Sequence, residues 1–338
     1  MTGGGAPGAA GIIRCLQAEK RFRLHVGDAN ATATGRFLND IFVQLPKASE
    51  PHFIDFVLDY CLKNGINVIF PLVTMELFRF SEAKDVFEKN NIKVIVSEKT
   101  SLDIANNKSR LYEHLTANKI LTPPYKVVSA GNFEQFLQAF QDLGFPEKPI
   151  AVKPSVSNGS RGVRIVDNSV DKFDLLFNHK PTSLYTDFDE LANILRGSLF
   201  PELLVSEVLT GEEFTIDTIV NADGKADIIL PRLRKKMLGG ISTEGQFIDN
   251  QEIINYCKEI IGSLKLFGPI GIQVKRATDG RFKILEINPR IQGTSVAAMG
   301  LGINLPVWAV RQALGETVKM PTIEWGKCFA RYWNEVYF

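Results

Sequence analysis

The sequence predicts a mixed fold, an α/β unit on a parallel sheet followed by α+β units on antiparallel sheets. Three observations predict it. In the first hundred residues short apolar runs alternate with helical patterns, after Leu203 long alternating runs are joined by Asp-Gly dipeptides, and Thr122-Pro123-Pro124 separates the two regimes. Residues 23–27 and 67–71 read as buried strands, 53–64 and 81–90 as helices, and 93–96 as a further strand. That order needs right-handed crossovers and gives a parallel sheet. The first unit is therefore assigned to residues 1–105. Residues 150–154 read as a strand leading into a Gly/Ser loop, and the segments beyond Leu203 form two long hairpins.

Composition bounds the function. The chain has 338 residues, 45% apolar and 23% charged, which is ordinary for a globular protein large enough for two or three cores. Lys plus Arg (39) nearly cancel Asp plus Glu (38), so no bulk field recruits nucleic acid or an anionic membrane. No apolar run approaches a membrane span, and Met1-Thr2-Gly3-Gly4-Gly5 lacks the regions of a signal peptide, so a cytoplasmic protein is expected. Cys15, Cys61, Cys257 and Cys328 are scattered and the four histidines show no ligand spacing. A disulfide scaffold, a zinc site and a Cys/His nucleophile are not expected.

The segment from Gly271 to Arg290 carries the most chemistry. Asp279-Gly280 favours a two-residue hairpin turn, so Thr278 pairs with Arg281 and counting outward sets Gln273 against Glu286. Directly opposed residues share a face, and the period of two adds Asn288 to it. Three oxygen donors on one face suit a hard cation such as Mg²⁺, which takes one or two carboxylates and completes its shell with water and substrate phosphates. An ordinary polar strand face is the alternative reading. The same counting around Asp223-Gly224 sets Glu213 against Arg234 and Thr215 against Arg232, with Phe214, Ile216, Ile229 and Leu233 on the opposite, apolar face.

Glu286-Ile287-Asn288-Pro289-Arg290, preceded at hairpin distance by Gln273, resembles the metal-binding signature of the ATP-grasp superfamily. The nearest branch is the carbamoyl-phosphate-synthetase-like one, where a Gln replaces the acidic residue of D-alanyl-D-alanine ligase. The resemblance extends over essentially the whole chain. It implies a Rossmann-like pre-ATP-grasp domain (1–105) followed by a two-lobed ATP-grasp fold with antiparallel sheets: an N-terminal lobe with a phosphate lid (106–205) and a C-terminal lobe with the metal site (206–338). It also implies ATP and two Mg²⁺ ions, with Mn²⁺ able to substitute, and metal ligands Gln273, Glu286 and Asn288.

Other segments are read against that resemblance. Lys108 reads as a solvated helical lysine by itself and, in the family, as a group that reaches the nucleotide phosphates. Lys153 leaves an apolar strand, where an unpaired charge is costly, and precedes the Gly/Ser-rich stretch from Ser155 to Gly162, whose backbone N–H groups suit phosphate. With Ser160 and Gly162 it resembles a phosphate lid; a structural hairpin loop is the alternative. Around Glu207 the chain resembles the family hinge, which implies that Glu207, Val208 and Leu209 meet the adenine edge and Glu213 the ribose. Arg232, Arg234 and Arg290 are expected to act on a phosphoryl group or a carboxylate substrate. Gly3-x-Gly5-x-x-Gly8 with Asp28 fits a dinucleotide fingerprint, but that motif needs a preceding strand and only Met1 and Thr2 are there. A substrate-side loop is expected, with no nicotinamide. Thr74 stands where the family often has an acidic residue, with Glu76 just after it.

The expected function is an ATP-dependent carboxylate–amine ligase working through an acyl phosphate on small molecules. A carbamoyl-phosphate-synthetase-like phosphotransferase on bicarbonate or carbamate, and a non-catalytic nucleotide-binding module, are the alternatives. Expected partners are ATP, a small carboxylate and an amine, with a homodimer permitted and neither nucleic acid nor membrane involved.

Overall fold

The computed structural model describes residues 1–157, 159–179 and 184–338. In the first unit, β1 (Val26–Asp28) pairs in parallel with β2 (Phe42–Gln44), and β3 (Val68–Ile69) with β4 (Lys93–Val94). Thr2 bridges Gly27 on one side and Pro71 on the other, both in parallel. The strand that the glycine motif needs is therefore present, reduced to the first residues of the chain. Counting Thr2 as the first strand, the order across the sheet is 3-2-1-4-5, that of a Rossmann-like unit. Five helices accompany it: α1 (Ala9–Gln17), α2 (Phe53–Asn64), α3 (Thr74–Glu82), α4 (Lys84–Lys89) and α5 (Lys99–Ala105). Helix α2 coincides with the predicted one. The predicted helix 81–90 begins earlier, at Thr74, and breaks at Ala83. The strands are shorter than their apolar runs because a ladder extends only as far as its partner, and β2 is three residues long.

The second unit runs through α6 (Lys108–Ala117), β5 (Tyr125–Val128), α7 (Phe133–Asp142), β6 (Ile150–Pro154), β7 (Arg164–Val166), α8 (Lys172–Asn178), β8 (Tyr185–Thr186), α9 (Phe188–Leu195) and β9 (Leu203–Glu207). Its sheet has the order β5-β9-β6-β7-β8, antiparallel except between β7 and β8. Phe136 and Phe140 of α7 and Leu191 and Leu195 of α9 pack on it. Since β9 belongs to this sheet, the unit ends at Glu207 rather than at 205.

The third unit contains β10 (Glu213–Val220), β11 (Ala226–Leu238), β12 (Ile241–Phe247), α10 (Gln251–Leu264), β13 (Gly268–Arg276), β14 (Phe282–Asn288), α11 (Leu305–Ala313) and β15 (Cys328–Ala330). These strands form one antiparallel sheet, β14-β13-β10-β11-β12-β15. The β11–β12 hairpin was missed in the sequence. It turns at Gly239-Gly240, where both φ angles are positive, and a Gly-Gly dipeptide itself favours such a turn. One face of the sheet, with Ile216, Ile272 and Ile284, is covered by Cys257 and Ile260 of α10 and by Leu111 and Leu115 of α6. The other face divides. Ile219, Ile228 and Leu230 lie in one core with Ile12 and Leu16 of α1 and Trp308 of α11, and the remainder is ionic.

Where the first unit meets the third, the glycine loop leaves no room for side chains. A Cβ on Gly8, whose φ is 90°, would lie 2.2 Å from the Gly293 Cα. The N-terminus of α1 is thus covered by the segment that follows β14. Asp28 accepts the Gly5 N–H at 2.7 Å, so its carboxylate ties the glycine loop to β1.

Glu76 is buried at the start of α3, and the Thr2 hydroxyl donates to its carboxylate at 2.5 Å. Burial, reinforced by the charge of Asp28, pushes its pKa from 4.5 up to about 7. Between those values the folded chain holds a proton that the unfolded chain has lost, so stability falls as pH rises across this window, by on the order of 3 kcal/mol once pH exceeds 7. Glu76→Gln is expected to match the parent protein below pH 4.5 and to exceed its thermal midpoint increasingly up to neutral pH. Scanning calorimetry across that range checks this; a constant offset would place the cost elsewhere.

Candidate functional site

The turn between β13 and β14 is not the two-residue turn expected. The Ala277 N–H donates to the Arg281 carbonyl and the Gly280 N–H to the Ala277 carbonyl, closing a three-residue loop in which Gly280 takes φ 82°. The ladder next to the loop is consequently offset by one residue, with Lys275 opposite Lys283 and Val274 opposite Ile284. A bulge at Leu285 then restores the count, so Gln273 does face Glu286, and Gly271 faces Asn288. Two one-residue offsets cancel. The Asp223-Gly224 hairpin repeats the device: Asn221 and Lys225 close a three-residue loop, an extra residue enters at Asp227, and Thr215 faces Arg232 as expected.

Two buried tyrosines hold the bulge on β14. The Tyr112 hydroxyl donates to the Ile284 carbonyl at 2.7 Å, and the Ile284 N–H donates to the Tyr256 hydroxyl at 3.1 Å. Burial raises both phenol pKa values, so both hydroxyls stay protonated. The side chains beyond the bulge form two rows across the sheet, Glu286–Gln273–Thr215–Arg232 and Asn288–Gly271–Asp217. The Asn288 Nδ2 lies 3.2 Å from Glu286 Oε1, and Gln273 Oε1 is 3.4 Å from Arg234 Nη1. Glu286 is the one carboxylate of the three predicted metal ligands, and among the described residues no group of three His, Cys, Asp or Glu could hold an ion. Such a sparse oxygen set fits Mg²⁺ that takes its other ligands from phosphate and water, and does not fit a closed protein cage.

The second unit supplies cations to the same place. Lys108 is buried at the start of α6, 3.5 Å from Glu286 Oε2, and its Nζ donates to the Ser157 carbonyl at 3.2 Å. Burial lowers the Lys153 pKa to about 8, with Glu286 and Glu213 opposing that shift and Lys108 and Lys275 adding to it. The loop after β6 is anchored where it starts: Ser155 is buried, its carbonyl accepts the Lys108 N–H at 2.8 Å, and its hydroxyl lies 2.5 Å from that of Ser109. Asn158 lies outside the described residues. Ser160 and Gly162 both have positive φ, and a Cβ on Gly162 would meet Pro154 at 2.6 Å. The Ser160 hydroxyl lies against Gly240, so this loop reaches the β11–β12 turn.

The three predicted arginines occupy different settings. Arg234 is nearly enclosed and holds together Glu213, the Ser242 hydroxyl and the Gly240 carbonyl. Arg232 is wholly buried. Its Nε donates to Asp217 at 3.1 Å and its Nη2 to the Thr294 hydroxyl at 2.8 Å, while Phe329 of β15 packs on the guanidinium and Nη1 has no partner among the described residues. Arg232 and Arg234, expected to act on a phosphoryl group or a carboxylate, are thus both enclosed and already paired, Arg232 with Asp217 and Arg234 with Glu213. Arg290 reaches the first unit, donating to the Thr74 hydroxyl at 3.2 Å, and burial lowers its pKa against the pull of Glu286. At the connection between lobes, the Glu207 carboxylate pairs with Lys283 at 2.9 Å, Val208 is half-buried and Leu209 is buried.

Lys275, Lys283 and the Ser155–Ser109 pair were missed. Lys275 was legible, since it lies two residues beyond Gln273 on the same face. Lys283 was not, because the bulge changes which residues of β14 face that way.

Residues 199–331 match the family described as "ATP-grasp in the biosynthetic pathway with Ter operon", and residues 8–95 match the PylC-like N-terminal domain. The large chain of carbamoyl phosphate synthase from Pseudothermotoga lettingae is 25% identical over 256 residues; the match covers 73% of this chain and 21% of that protein. This chain thus spans about a fifth of that relative's length. The ADP complex of N5-carboxyaminoimidazole ribonucleotide synthetase superposes with a TM-score of 0.71 at 15% identity, covering 95% of this chain and 78% of that one. An L-amino acid ligase from Bacillus licheniformis gives a TM-score of 0.62 at 18% identity, covering 90% and 72%. No described helix is long and apolar enough to cross a membrane.

Tyr112→Phe removes the hydroxyl that satisfies the Ile284 carbonyl at the bulge. It is expected to cost about 1–3 kcal/mol, since a buried acceptor loses its partner while the ring still fills its space. Urea unfolding measures this, and an unchanged midpoint would mean that the bulge does not depend on the hydroxyl.

Proposed function

We propose that this chain, which carries an ATP-grasp domain behind a PylC-like N-terminal unit, is an ATP-dependent carboxylate–amine ligase acting on small molecules. The observation that carries the proposal is the convergence of Lys108 and Lys153 from one lobe on Glu286, Gln273 and Asn288 of the other. Glu286, with Gln273 and Asn288, would hold Mg²⁺, which when bound neutralises charge on the β- and γ-phosphates. Lys108 and Lys153 bring positive charge to the transferring phosphoryl group, and the lid from Ser155 to Gly162 excludes water from it. The connection 207–209 faces the adenine edge in this reading. Glu213, oriented by Arg234, is the ribose ligand.

A carboxylate oxygen attacks the γ-phosphorus of ATP, the bond to the bridging oxygen breaks, and ADP leaves. The product is an acyl phosphate. An amine then attacks the acyl carbon, phosphate departs with the former carboxylate oxygen, and the amine proton is released as the amide forms. Arg290 is assigned to the phosphoryl oxygens or the carboxylate. Arg232 supports that position from behind through Asp217 and Thr294. Bicarbonate as the carboxylate is the second reading, favoured by the likeness to carbamoyl phosphate synthase.

Phosphate release is to be measured with ATP, Mg²⁺ and pooled amino acids, and in parallel with bicarbonate. Release that requires both a carboxylate and an amine, with a new amide in the products, is expected. Release with bicarbonate alone would favour the second reading, and saturable ATP binding without turnover in either pool would favour a nucleotide-binding module. Glu286→Gln is expected to lower the rate by about 100-fold or more while leaving the thermal midpoint near that of the parent. Near-normal turnover would remove the metal assignment.

A further inference from the structure

A second cavity lies at the opposite end of the parallel sheet from the glycine loop. Its volume is about 390 Å³, within the range of small-molecule sites. It opens beneath the residues that enter β1 and β3, and its walls also include the C-terminal end of α2 and one side of α11. Leu16, Val43, Leu45, Val57 and Leu314 make it apolar. Its exposed lining residues are the polar Arg21, Arg23, Asn64 and Asn67, together with Gly65 and Leu314.

The charges at the mouth do not balance. Glu316 is the one acidic residue lining the cavity, and it is already held by Arg21 at 3.2 Å and by Arg311 at 2.8 Å. Arg23 has no ion-pair partner among the described residues, where Arg21 also has Glu19. His25 lines the cavity and is 7% exposed. Its Nδ1 lies 2.9 Å from the Tyr60 hydroxyl, and its Nε2 has no partner among the described residues. Burial and the neighbouring Arg23 lower its pKa, which keeps the imidazole neutral and able to donate or accept one hydrogen bond.

We propose that this cavity is a binding site for a small amphipathic monoanion, with an apolar body among Leu16, Val57 and Leu314 and a carboxylate at Arg23. A dry apolar cavity of about 150 Å³ holds a benzene ring, so the space here accommodates a ring with a short acidic chain. None of the residues assigned to nucleotide, metal or phosphoryl transfer lines it. Because its walls come from the first unit and from α11, an occupant binds the folded chain and not the unfolded one, and raises the thermal midpoint.

The test uses the full chain, with 4-phenylbutyrate as the probe and 4-phenyl-1-butanol as its uncharged counterpart, titrated by calorimetry. Phenylbutyrate is expected to bind saturably, one per chain, about tenfold more tightly than the alcohol, a factor that corresponds to about 1.4 kcal/mol. Arg23→Gln, a change at an exposed position, should abolish the preference for the acid. Leu314→Trp, at a half-exposed wall residue, should abolish binding of both compounds while ATP still binds. Absence of saturable binding in the millimolar range overturns the site. Equal affinity for acid and alcohol overturns the assignment of an anion, and phenylbutyrate binding that survives Leu314→Trp places the probe outside this cavity.

Discussion

The pairing of β13 with β14 is the constraint on which the candidate site depends. Gln273 and Glu286 share a face only because an extra residue in β14 compensates the longer turn, and a slip of one residue would send Glu286 to the apolar face. That extra residue leaves backbone groups outside the regular ladder, which would be costly in a buried strand. Tyr112 from α6 and Tyr256 from α10 satisfy them. The side chains that would hold a cation are therefore positioned by two helices on the opposite face of the sheet. Lys108 lies one helical turn before Tyr112, so a single helix both fixes the bulge and brings a cation to Glu286.

The ionic half of the sheet is organised by burial. Asp217, Arg232, Thr294 and Ser295 form a closed network, with the Ser295 hydroxyl donating to Asp217 at 2.7 Å. A buried pair of this kind contributes little net stability against well-packed apolar residues, but loss of one partner strands a charge. What the network does is hold the segment after β14 against β10 and β11. That segment includes Gly293, which meets Gly8, and Arg290, which meets Thr74. The first unit is thus fixed to the third through glycines and one arginine.

Much of this was legible in the sequence. Counting outward from the Asp-Gly turns set Gln273 against Glu286 and Glu213 beside Arg234, and the count held because a one-residue bulge cancels each longer loop; only the alternation that puts Asn288 on the face of Glu286 is a local property of the backbone. The apolar strand before Lys153 and the glycines after it marked β6 and the loop that follows it, and helix 53–64 was readable to the residue. That strand, that loop and that helix depend on neighbours within about a dozen residues.

What tertiary structure decided depends on partners far away in the chain. Tyr112 and Ile284 are 172 residues apart, and nothing near Leu285 announces a bulge. Arg232 reads from sequence as a cation on an open face and is wholly buried, because Asp217, Thr294 and Phe329 close over it from three separate segments. The central strand of the first unit was hidden because Thr2 acquires its strand character from Gly27 and Pro71 on either side. The sequence determined the alternation along each strand, and the bulge at Leu285, held by distant tyrosines, decided which residues of β14 join Gln273. Only the fold decided which of those faces are open, since burial is set by the segments that cover them.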